Sequence, residues 1–441
     1  MKKRTTIVTL IFTAVFAAAW PCLDADAGTA ATESITLSEA LRLTREHNPK
    51  ALQASEEVNA ADAKVTQARS GFFPQISAKA SYLYLNPLSE IDFSGSMLRF
   101  APNNNYNAKL TAEMIFFDFG RTSSTVDLAK SGKATAVIRH DMTVRDLSLS
   151  TVRAFYSVMF LQEAVKVQNK EIAALQQNLD NMGKRLREGI ATRFDLLTTQ
   201  VRLAAAGNRK IDFQNQLDNQ EISLRRLCGL KAGAPLKLAG SFDITAADRD
   251  VTSLAASAVQ IRPEIILARE EVRSASYKKS LAAKEAFPKI IGSASYGTTN
   301  GYMPDIEQMR ANVSVGIGLQ VPLFTGFKIS AAASEAMAMM HAAEQQRIDT
   351  EELVQAEISQ SVNSLRTSRE KIGTTSLQIS QADLADRHAR IRYQNGLATT
   401  LDLLDAEAAL AEAELAHLQA RYEYVLNTYE LRRAAGDLLS Q

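Results

Sequence analysis

The stretch RLREGIATRFDLLTTQVRL, Arg185 to Leu203, returns as RYQNGLATTLDLLDAEAAL, Arg392 to Leu410, and this near-copy limits the fold more than any other feature of the chain. Gly189 and Gly396 suit the left-handed residue just past a helix end, and Thr192 and Thr399 suit the N-cap of the next helix. Asp195 and Asp402 fall three residues further on, where a capping box places its acid. Each copy therefore reads as the tip of a helical hairpin.

The copies stand 207 residues apart, a spacing that holds from Phe117/Phe324 through Gly189/Gly396 to Leu197/Leu404. Upstream it becomes 214, pairing Pro49 with Pro263, Phe73-Pro74 with Phe287-Pro288 and Ser81-Tyr82 with Ser295-Tyr296. The chain thus reads as a tandem duplication. The seven-residue difference falls between Tyr82 and Phe117, in NPLSEIDFSGSMLRFAPNNN, which reads as a loop against the shorter TTNGYMPDIEQM of the second half.

Proline is absent between Pro102 and Pro235 and after Pro322, the two segments that hold the tips. An interior proline costs a helix about 3 kcal/mol, so these are the places for long unbroken helices. The span 121–188, if helical throughout, reaches ~100 Å. Ile172, Leu175, Leu179, Met182 and Leu186 step by three and four, as do Leu415, Leu418, Tyr422, Val425 and Tyr429, which is coiled-coil spacing.

Before each long helix lies a pair of strand-like segments. Val313, Val315, Ile317, Leu319 and Val321 alternate with Ser314, Gly316, Gly318 and Gln320; Tyr106, Ala108, Leu110, Ala112, Met114 and Phe116 alternate with Asn107, Lys109, Thr111 and Glu113. Their partners run from Ile76 to about Asn86 and from Ile290 to about Thr299, with Tyr82, Tyr84 and Tyr296. One apolar face, one polar face and aromatics near the ends are how a membrane barrel reads. A sandwich on a soluble core would also alternate, but four strands running into very long helices have no second sheet to pack on. Four strands also cannot close a barrel, so a barrel would have to be shared between chains.

Residues 1–27 read as a signal peptide: Lys2, Lys3 and Arg4 precede an apolar run from Ile7 to Trp20, and Ala25-Asp26-Ala27 offers a cleavage site. Without them basic and acidic residues are equal in number, which gives no basic patch for nucleic acid. Cys22 leaves with that segment, and Trp20-Pro21 before it are too bulky for a lipidation site. Cys228 remains alone, so no intrachain disulfide is expected. No later apolar run reaches the ~18 residues of a spanning helix. His47, His140, His341, His388 and His417 are scattered at no metal-ligand or catalytic spacing, so neither an enzyme nor a cofactor is expected.

The boundaries follow. Residues 28–228 form a first repeat, with strands near 74–86 and 105–117 and hairpin helices over 121–188 and 193–228. Residues 229–249 form a connector, expected to fold with residues after Gly436 as a belt. Residues 250–436 form the second repeat, with strands near 288–299 and 310–323 and helices over 327–395 and 399–435; 437–441 are a tail. Short helices over 37–46 and 250–260 precede Pro49 and Pro263. A soluble periplasmic coiled-coil scaffold would explain the hairpins but not the strands.

With YQNGLATTLDLLDAEAAL, LREGIATRFDLLTTQ and the junctions VPLFTGFK and IFFDFGR on a duplicated framework, the chain resembles the TolC-type outer-membrane efflux and secretion channels over essentially its whole mature length. The resemblance implies an α+β membrane protein. It would be a homotrimer whose chains each give four strands to one twelve-stranded outer-membrane β-barrel facing lipid, continued by an α-helical coiled-coil tunnel across the periplasm. It implies a passive exit duct for a tripartite efflux pump or type I secretion system, recruited by an inner-membrane transporter through a periplasmic adaptor. Asp402 and Asp405 match the two aspartates of the family's constriction, where stacked carboxylate rings favour cations and repel one another, raising some pKa values. Asp402 is also a capping-box acid, whereas the repeat twin of Asp405 is Thr198. Tyr393 and Asp195 match the pair that bridges the hairpins in the closed state. The family's closing arginine is replaced here by Ala398, and Arg193 beside Asp195 is the candidate substitute. The tips at Gly189, Thr192, Gly396 and Thr399 match the site where the family meets its adaptor.

Overall fold

The computed structural model describes residues 34–436 except 89, 94–95, 232, 234–235, 243–257 and 259. The signal segment, most of the helix expected over 250–260 and the tail 437–441 lie outside the described residues.

The first half comprises β1 (Ile35–Thr36), α1 (Leu37–His47), α2 (Pro49–Arg69), β2 (Gln75–Tyr84), β3 (Glu90–Phe93), β4 (Ser96–Arg99), β5 (Asn104–Phe117), α3 (Arg121–Arg187) and α4 (Arg193–Leu227). There follow β6 (Leu238–Ala239), α5 (Pro263–Lys284), β7 (Lys289–Thr299), β8 (Arg310–Gln320), α6 (Lys328–Gln394) and α7 (Thr400–Ala434). Helices of 67 and then 35 residues close both halves. At 1.5 Å per residue the longer ones extend ~100 Å.

Local chemistry sets the helix starts. Asn48 ends α1 and caps α2, its carboxamide oxygen accepting from the Lys50 backbone N–H at 2.9 Å, with Pro49 in the first-turn place that needs no donor. At the strand-to-helix junction the Asp118 carboxylate accepts from the backbone N–H groups of Gly120, Arg121 and Thr122 at 3.1, 3.0 and 2.7 Å. It thereby caps α3, whose free N–H groups favour an anion. Phe119, left-handed at φ 57°, stacks on Phe287 at 5.2 Å between ring centroids.

β2, β5, β7 and β8 form one antiparallel sheet in that order, so strands of the two halves meet along β5 and β7. The register aligns Ala78, Leu110, Tyr296 and Val313 on one face, and Ile76, Ala112, Ala294 and Val315 on the next rung of the same face. The Phe116 ring covers Gly292, where a Cβ would come within 2.2 Å of it. The opposite face carries Lys79, Lys109, Gly297 and Asn312 on one rung and Ser77, Thr111, Ser295 and Ser314 on the next, the last two hydroxyls 2.8 Å apart. On the apolar face Val315 and Ile317 are 78% and 75% exposed. Among the described residues β2 and β8 each have a single partner in the sheet, so its outer edges are unpaired.

One expectation is corrected. Within the segment read as a loop, β3 and β4 pair as an antiparallel ribbon, Glu90 opposite Arg99, so the strands number more than four. Within the connector β6 pairs in parallel with β1, Ile35 beside Leu238. There Phe242 joins a core of Val152, Phe155, Val158, Leu224 and Val425. The reason is proximity, because α1 and the connector both cross the middle of α3, where a continuous apolar surface needs cover. Residues after Gly436 lie outside the described set.

A second crossing ties α3, α5, α6 and α7. Arg145 and Arg262, each 2% exposed, both bond Glu264, Arg145 Nη1 at 3.0 Å and Arg262 Nε at 2.8 Å. Arg262 also donates to Glu357 at 2.7 Å and to the Ala434 carbonyl at 2.9 Å. Burial pushes the Glu264 carboxyl up, but the two guanidiniums outweigh it and bring the pKa down to about 2.

Candidate functional site at the hairpin tips

The two tips share one construction. Gly189 and Gly396, at φ 77° and 73°, end α3 and α6 in the left-handed region, where a side chain is strained. The next amides turn back, Ile190 N–H to the Arg185 carbonyl at 2.9 Å and Leu397 N–H to the Arg392 carbonyl at 2.8 Å. Reciprocal capping boxes restart the chain: the Thr192 hydroxyl accepts from Asp195 N–H at 3.2 Å while the Asp195 carboxylate accepts from Thr192 N–H at 3.1 Å. The equivalents for Thr399 and Asp402 are 3.1 and 2.8 Å. Gly189, Thr192, Gly396 and Thr399 are all exposed.

The hairpins differ in how they are held. Leu404, one turn into α7, is 1% exposed and sits with Leu175 and Ala206 of the first hairpin, flanked by Ile172 and Leu203. Its repeat twin Leu197 is 50% exposed. Around this contact lie polar links between hairpins: Arg202 Nη2 to Asp405 at 2.6 Å, and Asn178 Nδ2 to Glu407 Oε2 at 2.7 Å. Glu407 Oε1 faces Arg390 Nη2 at 2.9 Å, and Arg390 Nε donates to Asp386 at 2.9 Å. Burial pushes the Glu407 carboxyl above its usual range; Asn178 and Arg390 pull it down without cancelling that, and Asp386 and Glu171 add to the rise.

The sequence-derived residues fall as follows. Asp402 is exposed, and the bonds it accepts from Thr399, with Arg392 nearby, hold its carboxyl below the usual range within one chain. Asp405 is paired with Arg202 rather than free. No hydrogen bond joins Tyr393 to Asp195 among the described residues: Asp195 is engaged by Thr192, and Tyr393 lies under the Arg185 guanidinium, 4.5 Å from its ring centroid. Arg193 is exposed at the start of α4 and makes no ion pair among the described residues. Arg202, Asn178, Asp386, Arg390 and Glu407 escaped the sequence reading. The available signal was repeat offset: Arg202 stands one helical turn beyond Thr198, the twin of Asp405.

Among the described residues no helix is long and apolar enough to cross a membrane, and no group of His, Cys, Asp or Glu is placed to hold a metal.

Comparison with known proteins agrees with this architecture. A family model described as "Outer membrane efflux protein" matches residues 40–230 and 254–437. Outer membrane protein TolC of Salmonella enteritidis is 23% identical over 420 residues, covering 93% of this chain and 84% of the relative. Alkaline protease secretion protein AprF of Pseudomonas aeruginosa is 24% identical over 428 residues, covering 92% and 85%. The crystal structure of outer membrane protein VceC from Vibrio cholerae superposes with a TM-score of 0.77 at 22% identity, covering 91% of this chain and 96% of that one. The chain therefore belongs to the outer membrane efflux protein family, as a TolC-type channel protein of the outer membrane.

Proposed function

We propose that this outer-membrane exit duct works as a homotrimer, three four-stranded sheets closing one twelve-stranded barrel above a helical tunnel through the periplasm. The observation that carries the proposal is the sheet itself, apolar and exposed on one face and unpaired at both edges. The smallest membrane barrels have about eight strands, so one copy cannot close and an edge-to-edge ring can. The helices support the same symmetry. Leu404 is seated inside its own chain while Leu197 is not, and on α4 Phe194, Leu197, Val201, Ile211 and Ile222 keep heptad positions while exposed. A neighbouring copy's hairpin would cover them as α7 covers the first hairpin here.

In the duct, the apolar sheet face meets outer-membrane lipid and the polar face lines the lumen. The exposed tips at Gly189, Thr192, Gly396 and Thr399 meet a periplasmic adaptor, through which an inner-membrane transporter delivers cargo for efflux or secretion. Opening swings the α6–α7 hairpin away from α3 and α4, emptying the Leu404 seat and breaking the Arg202–Asp405 and Asn178–Glu407 links. Asp402 and Asp405 then stand where cargo passes. With the family arginine replaced by Ala398, Arg202 acts as the closing cation, and the roles of Tyr393, Asp195 and Arg193 are to shape and pack the tips.

Cysteines placed at Ala78 in β2 and Val313 in β8, treated with a short bifunctional thiol reagent in outer-membrane fractions, test the assembly. Bands at dimer and trimer mass with nothing larger are expected. A product confined to monomer mass refutes the closed ring.

A further inference from the structure

The four strands of the large sheet carry four basic side chains, Lys79, Lys109, Lys289 and Arg310, against one acid, Glu113. The chain as a whole is close to neutral, at formal +1. Lys79 and Lys109 are direct partners in the β2–β5 ladder, and like charges placed opposite one another destabilise a sheet. Both side chains are exposed, and neither has an ion-pair partner among the described residues. Their rung continues through Gly297 and Asn312, neither of which supplies an anion. Gly297 keeps the wall beside Lys109 clear: a Cβ there would lie 2.6 Å from Lys109 Cβ and 2.5 Å from the Ala108 carbonyl oxygen. Glu113 is four residues along β5, roughly 13 Å at strand rise, beyond the ~8 Å screening length of physiological salt. Arg310 borders the lysines from the following rung, where it pairs with Thr299 beside Asn107.

We propose that Lys79 and Lys109 form an anion-binding belt on the lumen wall, favouring passage of small solutes that carry carboxylate, phosphate or sulfonate groups. The inference rests on the trimeric barrel proposed above, in which three copies set six lysines at one height. Rings of Lys or Arg are how pores favour anions. The unfavourable Lys–Lys pairing is then a cost to the sheet that serves the pore. The belt lies at the opposite end of the duct from Asp402 and Asp405, so cargo meets opposite charge at the two ends.

The test uses purified full-length protein in planar bilayers, in an Asp402→Ala/Asp405→Ala background that removes the tip carboxylates. There, chloride should be preferred over potassium at 0.1 M salt, and Lys79→Gln/Lys109→Gln should lower the permeability ratio by about tenfold, with a smaller effect at 1 M. Lys79→Arg/Lys109→Arg should keep it. Inorganic tripolyphosphate added on the barrel side should block the lysine and arginine forms and spare the glutamine form. A glutamine form that conducts with unchanged permeability ratio and block overturns the belt alone. A lysine form that assembles no trimer, or whose trimers stay silent when Leu404→Ala is added to open the tips, overturns the duct reading and the belt with it.

Discussion

Replacing Leu404 with Ala should open the periplasmic end far more than breaking the ion pair beside it. Leu404 is 1% exposed in a seat made by the other hairpin, so opening removes that contact entirely. Truncating a buried leucine costs about 2–5 kcal/mol, and 1.4 kcal/mol is a factor of ten. The closed state should lose roughly 30-fold to a few thousand-fold of its advantage per chain. The Arg202 and Asp405 side chains remain 35% and 58% exposed. A pair so open to water contributes about 0–1 kcal/mol, at most a factor of about five. Single-channel recording of purified trimers in planar bilayers reads the difference as open probability: high for Leu404→Ala, and nearly unchanged for Asp405→Ala. If Asp405→Ala opens the channel more than Leu404→Ala, with equal yields of trimer, apolar packing is not what holds the tip closed.

The buried ion cluster and the tip acid respond to pH with opposite sign. Glu264 has a folded pKa of about 2 against an ordinary 4.5, so its stabilisation is fully present above pH 4.5 and is lost as pH falls towards 2. Glu264→Gln should therefore remove roughly 3 kcal/mol at neutral pH, and thermal melts in detergent should show a smaller acid loss through that window than the unaltered protein. For Glu407 the folded pKa is raised, so its stabilisation is present below pH 4.5 and lost as pH rises through the folded value. Glu407→Gln should raise the melting midpoint near neutral pH by a few degrees and give no gain at pH 4; a lower midpoint near neutral pH would show that the Asn178 and Arg390 contacts outweigh the burial of charge.

The hairpins were the most legible part of the chain, because their ends are specified locally. Glycine at the left-handed turn and a Thr–Asp capping box fix each restart without reference to anything distant. The alternation in β8 was equally readable, because period two does not depend on which strand lies alongside. What stayed hidden depended on long-range registration. In Glu90 to Arg99 the Ser94-Gly95 pair signals a turn, but with four residues on each side it marks a loop as readily as a ribbon. The β1–β6 pairing joins residues about two hundred positions apart, and two-residue strands carry no periodicity. At the site, Asp405 was found through its unlike twin, but its partner Arg202 lies on another helix, and only the packing angle of the hairpins brings them together. The lowered pKa of Asp402 within one chain is hidden for the same reason: a sequence shows the acids and not the donors that reach each one first.

The unpaired outer edges of β2 and β8 also bear on how the proposed trimer comes into being. A single chain presents two raw sheet edges, and two chains joined side by side still present two. Joining the first two chains forms one seam, whereas the third chain forms two at once and closes the circle. A pair of chains therefore gains one seam of three and, with two edges still bare, stays prone to adventitious strand pairing. The yield of finished channel should depend on a steep power of chain supply. A chain carrying one damaged edge should waste its intact partners, so that such a variant acts dominantly when expressed beside the normal protein.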